Sequence, residues 1–392
     1  MNIMWFCIPA FGHTNPTIEV VRELTRRGHL VRYYSFSDFR EKIEEAGATF
    51  ISCDAYLPAL SKESERRLRE VSTTEMSVKA FETTAMMDGV LAEDVAKCRP
   101  SVIVSDSVCF WGKLTAEKYG IPMVCSTTTF AFNQHSAKYL KNSPRELADM
   151  ILGIPRLNRA IRQLEPLGYH VKSALDIVQN KPETNTIVYT SKRFQPCAET
   201  FDPAHYCFVG PSVKRVAPAA KTGNPLVYIS LGTVIENHPE FYRNCLDALA
   251  GEKLEVLISC GRTFDRAALG KLPENARVEP YVNQMEVLAK ASLFITHCGM
   301  NSASEGMYMG VPELLLPLTG EQQAVAQRVT EMGAGRRIQK STAKDPEKLR
   351  EAILDALNSK ELQHAALQMR KDFLACPGPS GAADFIEKIA GK

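Results

Sequence analysis

The segment 294–322, FITHCGMNSASEGMYMGVPELLLPLTGEQQ, concentrates residue types that bind a phosphate group. An apolar strand runs into His297-Cys298-Gly299, and a short helix is predicted to begin near Asn301-Ser302. Strand, glycine turn and helix N-terminus aim free backbone N–H groups and the positive end of a helix dipole at an anion. Gly299 lets the backbone approach closely, and Asn301 and Ser302 can add hydrogen bonds. Glu305 follows one helical turn on, within range of ribose hydroxyls. Asn and Ser are equally ordinary caps, and a histidine at a strand end is often a satisfied polar residue, so both readings stand. His13, near the other end of the chain, lies in the loop 9–14, PAFGHT. An imidazole titrates near neutral pH and is a base when neutral. A lone histidine in a glycine loop is nonetheless more often structural than catalytic.

The elements around these residues read as alternating strands and helices. Ile3 to Ile8 is continuously apolar, the pattern of a strand buried on both faces of a parallel sheet. Asn15 is a good N-cap, Pro16 suits the first helical position and Glu19 the positive dipole end, so a helix is predicted from there. Gly28 closes it, and 29–36 begins another strand, which completes a βαβ unit with a right-handed crossover. Strands at 102–105 and 123–126 flank a helix over about 110–119. The stretches from about 55 to 95 and from 130 to 180 read as helical, and such insertions either wall a ligand pocket or simply pack on the sheet. Residues 213–224, VKRVAPAAKTGN, form the best linker. A second series of strands follows at 226–230, 255–259, 293–296 and 313–316. The expectation is an α/β protein with two parallel-sheet domains, 1–212 and 225–375, and a ligand in the cleft between them.

Composition narrows the choice of partners. At 392 residues the chain fits two domains, and 45% hydrophobic against 23% charged residues is the balance of a globular protein with real cores. A formal net charge of +2 gives no reason to expect nucleic acid or an anionic membrane. The eleven cysteines are scattered singly without a Cys-x-x-Cys pair, which reads as reduced thiols in a cytoplasm rather than a zinc site or a disulfide framework. The N-terminal apolar run lacks a basic flank and ends early in Pro and Gly, unlike a signal peptide. No stretch has the length of a membrane span, so a soluble protein is expected.

HCGMNSASEG followed by GVPELLLPLTGEQ resembles the nucleotide-sugar signature of family 1 UDP-glycosyltransferases. The whole-chain pattern is most similar to the bacterial macrolide type. The resemblance also includes IPAFGHTNP near the start, VSDS at 104–107 and ISLGT at 229–233, and it spans essentially the entire chain. It implies the GT-B fold, with two Rossmann-like domains and a C-terminal segment, 376–392, whose helix over about 382–390 crosses back to the first domain. It implies that His13 is the base taking the proton from an acceptor hydroxyl, with Asp106 holding the imidazole and stabilising its cation. Ser230 and Thr233 then lie on the phosphate side. Tyr281 walls the uracil, Val282 bonds it through the backbone and Gln284 faces the nucleoside. His297, Gly299, Asn301 and Ser302 fall at the diphosphate, Glu305 at the ribose, and Glu321 with Gln322 at the sugar hydroxyls. Phe11, Phe81, Phe130 and Phe132 lie in segments lining the acceptor side in relatives, although core packing explains isolated phenylalanines as well.

Three departures from the family pattern stand out. Asn283 replaces a usual proline, which loosens the base-binding loop. Cys298 replaces a usual glycine, which calls for an ordinary backbone conformation there and adds bulk near the diphosphate. Glu313 interrupts an apolar strand, which suggests a sheet edge or a local partner. The reaction implied is a single displacement with inversion, from UDP-glucose to a small hydrophobic acceptor such as a macrolide, polyketide or flavonoid. It needs no metal and no cofactor, and the sequence has no Asp-x-Asp or His/Cys cluster of metal-ligand type. A monomer or weak homodimer is expected. The rivals are an epimerase or phosphorylase of the same architecture, the latter without a recognisable pyridoxal-lysine motif, and a non-enzymatic nucleotide-sugar-binding protein.

Overall fold

The computed structural model describes residues 1–56, 73–140, 144–173, 181–214, 216, 223–232 and 238–391. The chain forms two compact units, Met1–Ser212 together with Cys376–Lys392, and Val213–Ala375. The linker expected at 213–224 lies largely outside the described residues, as do 57–72 and 174–180 of the two inserted stretches.

The first unit runs β1 (Asn2–Phe6), α1 (Phe11–Arg26), β2 (Leu30–Ser35), α2 (Arg40–Glu45), β3 (Thr49–Ser52), α3 (Thr73–Cys98), β4 (Val102–Asp106), α4 (Phe110–Tyr119), β5 (Met123–Thr127), α5 (Pro144–Arg162), β6 (Thr186–Val188) and β7 (Tyr206–Phe208). The seven strands form one parallel sheet in the order β3-β2-β1-β4-β5-β6-β7. The side chains of the central strands β1, β4 and β5 are largely buried on both faces, and Trp5 stacks on Tyr33 at 5.9 Å between ring centroids, Phe6 on Tyr34 at 4.5 Å.

α1 begins a full turn before the predicted start. The Ala10 carbonyl accepts from the N–H groups of His13 and Thr14, at 3.0 and 2.9 Å, so the helix is already under way at Phe11. Pro16 therefore lies inside the helix rather than at its first position, its fixed φ being helical in any case. The displacement moves His13 out of a loop and onto the first turn of a helix. Gly28 then follows the helix end at φ +82°, the left-handed conformation that suits glycine.

The second unit runs β8 (Leu226–Ser230), α6 (Pro239–Leu249), β9 (Glu255–Ser259), β10 (Ala276–Glu279), α7 (Gln284–Leu288), β11 (Leu293–Thr296), α8 (Met300–Met309), β12 (Glu313–Leu315), α9 (Gly320–Glu331), β13 (Gly335–Arg337), α10 (Pro346–Asn358) and α11 (Lys360–Leu374). Its parallel sheet has the order β10-β9-β8-β11-β12-β13, the same winding as the first. α12 (Gly378–Ile389) then returns to the first unit, where Ala382, Ala383, Phe385 and Ile386 enter its core. Arg27 ties it down through Asp384 at 2.6 Å and Glu387 at 3.0 Å, and His29 bonds Glu387 at 2.6 Å. No helix among the described residues is long and apolar enough to cross a membrane.

Glu313 does not sit at a sheet edge, contrary to expectation. β12 pairs with β11 on one side and β13 on the other, and Glu313 is wholly buried. Neither carboxyl oxygen has a hydrogen-bond partner among the described residues. Room for the group comes from α8, where a Cβ on Gly306 would lie 2.3 Å from Glu313 Oε1. Burial pushes this carboxyl well above the usual carboxylate range, so the folded protein keeps its proton while the unfolded chain releases it. Stability is therefore full below the ordinary carboxylate pKa and falls as pH rises from there towards the folded value. Glu313→Gln removes this slope. Its thermal midpoint should exceed the wild type's by more at pH 8 than at pH 4.5, by about 1–3 kcal/mol in stability. An offset independent of pH would rule out a titrating Glu313.

Candidate active site

Both sheets reverse their winding direction at one place, between β1 and β4 in the first unit and between β8 and β11 in the second. Beyond the carboxyl ends of such strand pairs the loops diverge and leave a crevice, the usual position for a ligand in open parallel sheets. His13 and Asp106 fall at the first of these points, and Ser230, His297 and Gly299 at the second.

In the first unit, His13 lies on the opening turn of α1, just beyond β1, and Asp106 is the last residue of β4. β1 and β4 are hydrogen-bonded neighbours, which brings two residues 93 positions apart within reach. His13 Nδ1 is 2.7 Å from Asp106 Oδ2. A carboxylate only accepts, so Nδ1 carries the proton and Nε2 is the basic nitrogen. Asp106 is 2% exposed, and its other oxygen accepts the Val108 N–H at 3.0 Å, which fixes the carboxylate plane.

In the second unit, Ser230 ends β8 and is buried, and Gly232 follows at φ +82°. The Cε1–Nε2 edge of the His297 ring lies close to both Gly232 and Gly299. A Cβ on Gly232 would stand 2.7 Å from the ring's Cε1, and one on Gly299 would stand 2.7 Å from Nε2. His297 Nδ1 is buried with no hydrogen-bond partner among the described residues. Desolvation pushes the imidazole down to about 4, against an opposing hydrogen bond that the ring donates to the Ser230 backbone. At neutral pH the ring is uncharged, so it offers a hydrogen bond rather than a cation. Gly299 is the N-cap of α8, with Asn301 and Ser302 in the first turn, the predicted anion-facing geometry.

The expectation for Cys298 is overturned. Its backbone is left-handed, at φ +66°, which explains why glycine suits the position and costs a cysteine about 1–2 kcal/mol. Its side chain is fully buried, with Sγ donating to the Thr296 carbonyl at 3.6 Å, so its bulk goes into the core and not towards an anion. Asn283 has φ −72°, the value a proline would impose, and its side chain donates to Glu286 at 2.7 Å. The missing proline is thus replaced by a local tie.

Gln284, Ser302 and Glu305 come together in one network. Gln284 Nε2 donates to Glu305 Oε2 at 2.6 Å and to Ser302 Oγ at 3.3 Å, while Gln284 Oε1 accepts from the Tyr228 hydroxyl at 3.0 Å. Burial pushes the Glu305 carboxyl up to about 7, and the Gln284 amide partly offsets this. Tyr228 was not among the sequence candidates; its signal is a polar-tipped aromatic inside an otherwise aliphatic buried strand. Tyr281 is 60% exposed, with the Arg262 guanidinium 5.3 Å from its ring centroid, and Val282 beside it is half-buried. Arg262 was likewise missed, because nothing in the sequence ties it to the Tyr281 segment.

Other candidates are placed differently. Gln322 is buried in the capping box of α9, its side-chain carbonyl accepting the N–H groups of Leu318 and Thr319 at 2.8 and 3.2 Å. That oxygen positions the loop rather than meeting a sugar, whereas Glu321 beside it is exposed. Phe81 and Phe130 are core residues, 0% and 2% exposed. The first packs on Phe110 and the second on Phe194, so neither presents a face to an acceptor. Phe11, 39% exposed, and the half-buried Phe132 keep accessible surface. Thr233 lies outside the described residues. Among the described residues, no group of three or more His, Cys, Asp or Glu is arranged to hold a metal ion.

Comparison with known proteins bears on this arrangement. Residues 243–389 match the family described as Erythromycin biosynthesis protein CIII-like, C-terminal domain. The chain is 32% identical to the NDP-glycosyltransferase YjiC of Bacillus licheniformis, over 98% of this chain and 97% of that one. It is 30% identical to the demethyllactenocin mycarosyltransferase of Streptomyces fradiae, over 99% and 86%. The crystal structure of CalG4, the calicheamicin glycosyltransferase, superposes with a TM-score of 0.81 at 27% identity, covering 100% of this chain and 98% of that one. Two parallel sheets of one winding, a C-terminal helix that returns to the first unit, and full-length relatives that are glycosyltransferases make this chain an enzyme of the family 1 glycosyltransferases with the GT-B fold.

Proposed function

We propose that the enzyme transfers glucose from UDP-glucose to a hydroxyl of a small hydrophobic natural product, by a single displacement with inversion and without a metal ion. The observation that carries this reading is the 2.7 Å bond between His13 Nδ1 and Asp106, which leaves Nε2 as the proton acceptor. The acceptor oxygen loses its proton to Nε2 and attacks the anomeric carbon, while the bond from that carbon to the diphosphate oxygen breaks. The imidazolium formed is stabilised by the Asp106 carboxylate. Negative charge grows on the leaving diphosphate, where the first turn of α8 and the neutral His297 ring supply hydrogen-bond donors.

The nucleoside contacts follow from the network in the second unit. Tyr281 is exposed enough to stack on a base, and Glu305, oriented by Gln284, faces the ribose hydroxyls. Glu321 is the stronger candidate for a sugar hydroxyl, with Gln322 holding its loop. The relatives' names, NDP-glycosyltransferase and demethyllactenocin mycarosyltransferase, support a nucleotide-sugar donor and a natural-product acceptor. No disulfide joins cysteines among the described residues, which favours a reducing compartment such as the cytoplasm.

Incubation with UDP-glucose or dTDP-glucose and a panel of macrolides, polyketides and flavonoids tests the proposal by nucleotide release and product mass. UDP-glucose should be consumed faster than dTDP-glucose, and excess chelator should leave the rate unchanged. Inhibition by chelator that is reversed by Mg²⁺ would end the metal-free scheme. Tight UDP-glucose binding without turnover on any acceptor would favour a non-enzymatic sensor.

A further inference from the structure

We infer that Thr128 is a positioning residue for the His13 imidazole, gripping the same ring edge as Asp106. This rests on the reading of His13 as the base. β5 pairs with β4 so that Ser126 stands opposite Asp106, and Thr128 follows just past the end of β5. The carboxyl ends of β1, β4 and β5 therefore deliver His13, Asp106 and Thr128 to one point. Thr128 is 3% exposed, and its Oγ1 lies 3.3 Å from His13 Nδ1, against 2.7 Å for Asp106 Oδ2.

Nδ1 carries one proton, so the two oxygens share it unequally, with the short bond to the carboxylate dominant. The carboxylate alone leaves the ring able to pivot about the line from Nδ1 to Oδ2. A second oxygen beside that line restrains the pivot and with it the direction in which Nε2 points. Small errors in such a direction are costly, because proton transfer needs the acceptor hydroxyl aligned with Nε2. Among the described residues, Cys7 just past β1, Cys109 after β4 and Tyr189 after β6 are titratable groups that face Asp106. Burial pushes both thiols and the phenol up, so all three stay neutral beside Asp106. Thr128 adds a neutral acceptor to the imidazolium. Removing it weakens the hold on the cation and moves the acidic limb of the rate profile to lower pH.

Thr128→Val keeps the shape and deletes the hydroxyl, and Thr128→Ala serves if the valine variant misfolds. Either should lower kcat by about tenfold with the KM for the donor within about twofold of wild type. The acidic limb of the kcat/KM profile should move to lower pH, and Thr128→Ser should restore both the rate and the limb. Wild-type kcat and an unmoved limb in the hydroxyl-less variants, alongside an inactive His13→Ala, would overturn the role of Thr128 alone. A lowered kcat with an unmoved limb that serine does not rescue would do the same, since that is lost packing. An active His13→Ala would instead remove the base reading on which the inference rests.

Discussion

Replacing His13 by alanine is expected to lower kcat by about 10²–10⁴-fold while leaving UDP affinity nearly unchanged. The split follows from where the residue sits. His13 belongs to the first unit, at the end of β1, whereas the residues assigned to the nucleotide all belong to the second. Alanine at the opening turn of α1 removes the proton acceptor without unmaking the helix, because the helix-starting bonds to the Ala10 carbonyl are backbone bonds. It also strips Asp106 of a partner. That carboxylate is buried but keeps the Val108 N–H, which limits the stability cost to about 1–2 kcal/mol. Single-turnover rates with isothermal titration of UDP separate the two effects. Near wild-type kcat would reject His13 as the base, and a parallel loss of UDP affinity would point to misfolding.

The second large effect is expected at Gly232. The position combines φ +82° with a ring standing where a Cβ would go, so Gly232→Ala adds backbone strain of about 1–2 kcal/mol and a clash. The added methyl would meet His297 Cε1 at 2.7 Å and Nε2 at 2.8 Å, and neither ring atom can stay in place. The imidazole must leave its slot, taking its donor away from the diphosphate. UDP-glucose should bind about 10–100-fold more weakly, as when a hydrogen bond to a charged group is lost, while the variant stays folded. Gly299→Ala should act in the same direction with a smaller backbone cost, since its φ of −59° is open to any residue. Unchanged UDP-glucose affinity in Gly232→Ala would show that the His297 slot is not part of the donor site.

Much of this was legible in the sequence because parallel strands buried on both faces write themselves as unbroken apolar runs. β1, β8, β9 and β11 are of that kind. β10 and β13, ARVE and GRR, are short strands at the sheet edges with exposed side chains, and their pairing partners define them rather than their composition. The start of α1 was misread because Asn15-Pro16 has the chemistry of a helix start, yet the backbone bonds to Ala10 begin the helix a turn earlier. Cys298 and Glu313 were misread for a common reason. A left-handed backbone, and a buried carboxyl without a partner among the described residues, are set by what packs around them, and the residue types at 298 and 313 do not reveal either. The His297 slot depends on glycines 67 residues apart in the chain, and only the adjacency of β8 and β11 brings them to one ring.

A base-assisted displacement at the anomeric carbon fixes the configuration of the product, so the anomeric form of the glycoside is its sharpest test. Proton NMR of the glycoside formed from α-linked UDP-glucose should show the large anomeric coupling of a β-glycoside from the first turnovers. An α-glycoside at early times would contradict direct displacement by an oxygen activated at His13.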